Sequence, residues 1–285
     1  RGIPLVLVSA RTSPRSVPGY KRLLPLIRET LSHGIIIAAQ SRSDAERFLE
    51  LGANPDRTIV TGNIKYDVEL DPDIAGQGRA LREKLFAGRP VWIAASTHDG
   101  EEHQILAAHR RLLADHPDLL LLLVPRHPER FQLVAELIRQ EGFRTELRTA
   151  EPATAASAEV FLVDTMGEVP LFLAASDIAF VGGSLIPVGG HNLLEPAAQG
   201  LPIITGPHLF NAQETADEFI KLGACKIVAD APALATAVDQ LIRDPEERRT
   251  MGEYGRAVLE QNRGSLQRLL VLLEPLLNSR RDDHS

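Results

Sequence analysis

At 285 residues with a net charge of −7, the chain has room for about two domains. Its 44% hydrophobic and 24% charged residues are those of an ordinary globular protein. The acidic balance argues against a general nucleic-acid binder, which needs a basic face. The single cysteine, Cys225, excludes an internal disulfide and fits a reducing compartment. The longest apolar run, Leu119–Val124, is too short to span a bilayer.

Short apolar runs alternate with amphipathic stretches from one end to the other, the pattern of a parallel sheet with crossover helices. Leu5–Val8, Ile35–Ala39 and Thr58–Thr61 read as the first strands. A helix lies between the last two, with Ser43 and Glu46 as a capping box and Gly52 as its stop. From Val91 the alternation restarts, with strands expected at Val91–Ala95, Leu119–Val124, Val160–Val163, Ile178–Val181, Pro202–Thr205 and Lys226–Val228. Helices fit Gly100–Asp115, Pro128–Glu141, Asn192–Gln199, Ala212–Leu222, Ala231–Arg243, Pro245–Asn262 and, last, Leu266–Leu277. The stretch Tyr66–Arg79, with Asp-Pro-Asp and nearby glycines, reads as a boundary. The expected fold is therefore α/β: one complete doubly wound parallel-sheet domain over 71–265, preceded by the second half of another over 1–70. Residues 266–285 form a terminal helix and a charged tail, Arg280-Arg281-Asp282-Asp283.

The segment from Phe180 to Gly200 is the most informative. After a buried strand, Gly182-Gly183-Ser184 would let backbone N–H groups approach a ligand. Gly189-Gly190 make a second turn, and His191-Asn192 open a helix whose N-terminus attracts anions. Glu195, one turn in, adds a carboxylate suited to ribose hydroxyls. Ligands in open α/β sheets bind outside the carboxyl ends of the strands, where this segment lies. Arg126 follows another strand, where a guanidinium can take a phosphate with two bonds, or pair with Glu129. Met166-Gly167-Glu168 follows a third, offering soft apolar contact and close approach to a flat base. Glu168 equally suits a helix N-terminus. Ser96-Thr97-His98 with Glu101-Glu102 reads either as a phosphate site or as a plain N-cap. His127 reads as structural, and Cys225 as core. The basic stretch Arg11, Arg15, Lys21 and Arg22, with Pro14, Pro18 and Tyr20, is loop-like. His98 and His103 lack partners at metal-ligand spacing.

The run Gly189-Gly190-His191-Asn192-Leu193-Leu194-Glu195-Pro196, with the later Pro202-Ile203-Ile204-Thr205-Gly206-Pro207-His208, resembles the signature of bacterial 3-deoxy-D-manno-octulosonic acid (Kdo) transferases, glycosyltransferases of the GT-B type. Val124-Pro125-Arg126-His127-Pro128, Asp164-Thr165-Met166-Gly167-Glu168 and Thr61-Gly62-Asn63-Ile64-Lys65-Tyr66-Asp67 agree with it. So does Ala10-Arg11-Thr12-Ser13 followed by Gly19-Tyr20, although the family more often has Leu at position 12. The resemblance runs along nearly the whole chain, in order.

It implies an inverting transferase that moves Kdo from CMP-Kdo to a lipid A precursor in lipopolysaccharide biosynthesis. It assigns CMP to Pro125, Arg126, Met166, Gly167, Glu168, Asn192, Leu193, Leu194 and Glu195. Lys65 becomes the stabiliser of the transition state, facing the inter-domain cleft. No cofactor, metal or nucleic acid is expected, since GT-B enzymes hold the nucleotide without a cation. The expected location is the cytoplasmic face of the inner membrane, with the basic stretch facing lipid phosphates. The family's general base resembles a Glu in a Gly-rich segment, and no acid within 1–70 has that context; it is expected upstream of Arg1. Another GT-B nucleotide-sugar transferase or epimerase, or a nucleotide-binding fragment without catalysis, remains the alternative.

Overall fold

The computed structural model describes residues 4–12, 29–31, 34–150, 155 and 157–278. Ser13, Arg15, Lys21, Arg22, the intervening Pro14, Pro18, Gly19 and Tyr20, and the charged tail lie outside the described residues. Chain compactness separates two units. One comprises Arg1–Asp67 with Glu260–Ser285, the other Val68–Leu259. The terminal helix, expected as a separate element after 265, thus belongs with the first unit.

In the first unit, β1 (Leu5–Ala10), β2 (Ile35–Ala39) and β3 (Thr58–Val60) form a parallel sheet in that order. Helix α1 (Arg42–Glu50) joins β2 to β3. Its cap is Ser41, whose hydroxyl accepts from Asp44 N at 3.0 Å, in place of the expected Ser43 with Glu46. Ser41 has the extended backbone that an N-cap needs, and Ser43 already lies inside the first turn. A small core of Ala10, Ile37, Phe48 and Ala53 closes between sheet and helix.

The second unit opens with α2 (Ile74–Phe86), β4 (Val91–Thr97), α3 (Glu101–Asp115), β5 (Leu120–Pro125) and α4 (Phe131–Gln140). It continues with β6 (Thr145–Leu147), β7 (Val160–Leu162), α5 (Val169–Ala174), β8 (Ile178–Val181) and α6 (Leu194–Gln199). Then come β9 (Ile203–Thr205), α7 (Gln213–Lys221), β10 (Cys225–Ile227), α8 (Ala231–Arg243) and the start of α9 (Pro245–Asn262). Helix α10 (Ser265–Asn278) completes the first unit. The expected strands and long helices are present, within two residues at each strand end. Helix α2 and strand β6 were not expected, whereas α5 begins after Glu168, where a helix N-terminus was the alternative reading.

The seven strands are all parallel, in the order β10-β9-β8-β4-β5-β7-β6. Both faces are covered, and the period of two along the strands divides the core between them. Trp92 and Ala94 of β4 and Leu121 and Leu123 of β5 face α3, α4 and α8. Val91, Ile93, Ala95, Leu120, Leu122 and Val124 face α2 and α5. Helix α2 lies where the boundary was expected because Gly78 reads as a breaker. It is instead a contact: a Cβ there would stand 2.6 Å from the Ala174 carbonyl carbon of α5.

Candidate functional site

The chain leaves β4 near the middle of the sheet, runs outward through β5, β6 and β7, and returns to β8 on the other side of β4. The loops after β4, β5 and β8 therefore meet at the point where the strand order reverses, the customary crevice of such sheets.

Arg126 follows β5 and donates its backbone N–H to Thr97 O at 3.0 Å, which ties it to the end of β4. Its side chain is exposed and makes no hydrogen bond or ion pair among the described residues. The alternative pairing with Glu129 is not found; that carboxylate lies 3.9 Å from His127 Nδ1 instead. Pro125 is buried as the last residue of β5. Met166 is 58% exposed, and Gly167 has φ +82° with open space where a Cβ would project. Glu168 caps the sequence into α5, but its carboxylate is engaged by Arg148 at 2.9 Å and by the Thr165 hydroxyl.

The glycine-rich turn after β8 differs most from expectation. Its amides do not stand open for a ligand. Glu101, the first residue of α3, is fully buried. It accepts from Gly183 N at 2.7 Å, Ser184 N at 3.0 Å and Leu185 N at 2.9 Å. A carboxylate of the chain itself occupies the nest that an external anion would need. The Ser96–His98 segment is likewise engaged. Thr97 donates its hydroxyl to Glu102 Oε1 at 3.1 Å, and Gly100, not Ser96 or Thr97, is the N-cap of α3. Glu102 is also fully buried, receives Arg130 at 3.1 Å, and has its carboxyl pushed up by burial against those bonds.

Helix α6 begins at Leu194, two residues later than expected. Asn192 stays outside as a side-chain cap, accepting from Leu194 N at 3.0 Å and donating to Glu195 Oε1 at 3.0 Å. Leu193 and Leu194 point into the core, at 1% and 3% exposure, so only their backbone can meet a ligand. Asn192 is exposed and Glu195 half-buried.

Sequence reasoning passed over a cluster here. His98 and His191 bring their Nε2 atoms to 2.6 Å, with ring planes 5° apart, and His127 stands edge-on to His98. Burial lowers His98 and holds His191 down to about 4, with Arg126 and His127 adding to both effects and Glu101 opposing at His98. His98 directly follows β4, but His191 comes ten residues after β8 ends at Val181, so no local signal pairs them. Among the described residues no group of His, Cys, Asp or Glu could hold a metal ion.

Lys65, in the first unit, is exposed on the turn after β3, where its backbone N–H donates to Asn63 Oδ1 at 3.1 Å. The rest of its motif has structural work. Asp67 accepts from Gly264 N and Leu266 N at 2.6 Å each and so caps α10, and Thr61 O accepts from Arg268 Nε at 2.9 Å. Thr12 N donates to Asp44 Oδ1 at 3.0 Å. No helix of the described residues is long and apolar enough to cross a membrane. Cys225 is buried, as expected.

Comparison with known proteins follows the same division. Residues 1–68 match the family model described as 3-deoxy-D-manno-octulosonic-acid transferase (kdotransferase), and residues 89–258 match glycosyl transferases group 1. The 3-deoxy-D-manno-octulosonic acid transferase of Haemophilus influenzae is 44% identical over 97% of this chain and 65% of that protein. That of Bordetella pertussis is 38% identical over the same shares. The chain thus spans just under two thirds of these relatives. Among solved structures, the C-terminal CMP-Kdo binding domain of WaaA from Acinetobacter baumannii is 36% identical with a TM-score of 0.63, covering 66% of this chain and 99% of that one. The Anabaena protein HepE in complex with UDP matches 96% of this chain and 72% of its own at a TM-score of 0.56 and 20% identity, a likeness of fold alone. With the α/β, GT-B architecture in place, the chain belongs to the 3-deoxy-D-manno-octulosonic acid transferase family, its larger unit carrying the group 1 glycosyl transferase domain.

Proposed function

We propose that the chain serves the transfer of Kdo from CMP-Kdo to a lipid A precursor, with the larger unit holding the nucleotide. The observation that carries this reading is Arg126. An exposed guanidinium with no partner among the described residues, anchored through its backbone at the carboxyl end of a central strand, is a ready phosphate ligand. Met166 and Gly167 offer an accessible apolar surface and an unobstructed backbone for a base. Asn192, exposed, and Glu195, half-buried, are hydrogen-bonded to each other and are the accessible side chains that would turn to a ribose, while Leu193 and Leu194 contribute backbone only. Glu168, tied to Arg148 and Thr165, acts by shaping the Met166–Gly167 turn.

In this scheme Lys65 offsets charge that develops as the nucleotide departs, the acceptor hydroxyl attacks the anomeric carbon with inversion, and no metal takes part. The acceptor would be met at the cytoplasmic face of the inner membrane.

Titration calorimetry tests the nucleotide assignment. CMP should bind and UDP should not, chelators should leave CMP affinity unchanged, and Arg126→Ala should weaken CMP by roughly 10- to 100-fold, the loss of one charge-assisted bond of about 1.5–3 kcal/mol. Unchanged CMP affinity in Arg126→Ala removes Arg126 from the site.

A further inference from the structure

Two features of local backbone converge on the His98–His191 contact. Ser96, just before it, is a non-glycine residue at φ +59°, a conformation that persists only where surroundings enforce it. Gly183 has φ +66°, and a Cβ there would lie 2.8 Å from His191 Cδ2. The loops after β4 and β8 are thus shaped to press these two imidazoles together at the point where the strand order reverses.

A hydrogen bond between two Nε2 atoms needs one donor and one acceptor, so the contact holds a single proton. A second proton would set two N–H groups against each other. Metal ligation does not account for the contact: two imidazoles about 2.0–2.1 Å from one tetrahedral ion would hold their nitrogens about 3.3 Å apart.

The surrounding charges are lopsided. Arg126 and His127 come from the loop after β5 and Arg130 from the turn that follows. The nearby carboxylates are committed elsewhere: Glu101 to the three amides of the β8 turn, Asp99 and Glu102 to Arg130, and Glu129 beside His127. Among the described residues, what remains uncommitted here is the guanidinium of Arg126 and the capacity of the imidazole pair for one more proton.

We propose that His98 and His191 form a proton-linked anion subsite for the phosphate of a nucleoside monophosphate bound beside Arg126. As the phosphate arrives, the pair takes one proton from solvent, the Nε2···Nε2 bond opens, and the second N–H donates to a phosphate oxygen. The free pair stays neutral because burial and the neighbouring cations disfavour its charge; the anion supplies the missing counter-charge. The inference rests on the larger unit binding CMP.

The test is calorimetry of CMP binding to the whole chain in buffers of different ionisation enthalpy, with cytidine as the control lacking a phosphate. Native protein should take up a proton, up to about one per CMP, and CMP affinity should fall by up to tenfold per pH unit above neutrality. His191→Gln keeps a hydrogen-bonding partner for His98 but cannot take the charge, so it should lose both effects. Subtracting its uptake from the native value also cancels the titration of the phosphate itself. His98→Gln, the reciprocal variant, should behave alike, so the result does not hang on one variant folding. CMP binding with equal proton uptake in native and both variants overturns this inference and leaves the nucleotide reading standing. Absence of CMP binding at every pH overturns the nucleotide reading and this inference with it.

Discussion

Each unit of the molecule has one carboxylate that gathers distant backbone amides, and the two are held very differently. In the larger unit Glu101 is fully buried and binds three amides 82 to 84 residues further along the chain. In the smaller unit Asp67 is half-buried and binds two amides 197 and 199 residues away, at the start of α10. The first fixes the glycine-rich turn beside the candidate site from inside the core. The second staples a surface helix to a three-stranded sheet. Where water can replace a lost acceptor the loss is small; where it cannot, every orphaned amide keeps its full desolvation cost.

Glu101→Leu should therefore have the largest effect. It leaves three buried N–H groups facing an apolar side chain, at about 1–3 kcal/mol each, and the sum should reach roughly 4 kcal/mol or more. Denaturant unfolding measures it. A loss smaller than that of Asp67→Ala would break the comparison, by showing that water enters the turn freely. A second buried polar group sharpens it through pH. His109 is fully buried, with Nδ1 accepting from Trp92 Nε1 at 3.1 Å and Nε2 donating to Glu159 O at 2.8 Å. The indole can only donate, so the ring is fixed as the neutral Nε2–H tautomer. Burial is the main cause that holds its pKa down from 6.5 to about 4. The unfolded chain then binds more protons between these values, so stability is constant above pH 6.5 and is lost as pH falls from 6.5 towards 4. The full loss is about 3 kcal/mol. Stability of His109→Phe should vary less with pH across this window, and an unchanged slope would show that other groups carry the acid sensitivity.

Asp67→Ala should cost about 1–2 kcal/mol, in the range of a lost helix cap. Its effect should be local, with amide hydrogen exchange accelerated in α10 and unchanged in β4 and β5. Uniform acceleration would mean that the helix is integral to the whole fold.

These same residues mark how far the sequence could be read. Strands β4, β5 and β8 are legible because burial on both faces makes each a continuous apolar run. Helix α2 is not, since Gly76 and Gly78 look like breakers until Ala174 is seen against Gly78. The three-residue β6 is too short to carry a period. Arg126 is legible as the first residue past a buried strand. Glu101 is not, because nothing local distinguishes a helix-start Glu exposed to solvent from one swallowed by a turn 82 residues away. The glycine-rich turn was thus correctly placed but wrongly thought to be open. His98 and His191, 93 residues apart, share the same limit: their contact exists only once β8 has returned beside β4.

Cys225 offers the finest discrimination between the two units. It is the only cysteine, it opens β10 in the larger unit, and it is 5% exposed. Burial pushes its thiol up to about 12, so in the folded protein it is both shielded and almost wholly unreactive as a thiolate. Labelling by a thiol reagent must then wait for the larger unit to open, and its rate reports the free energy of that opening. Each 1.4 kcal/mol of destabilisation confined to that unit should speed labelling about tenfold, so a loss of roughly 4 kcal/mol in Glu101→Leu corresponds to nearly a thousandfold. Asp67→Ala should leave the rate within about twofold of the native chain if the units open independently. A tenfold rise in Asp67→Ala would show that the larger unit opens whenever α10 detaches, and that the two carboxylates guard one cooperative structure rather than two.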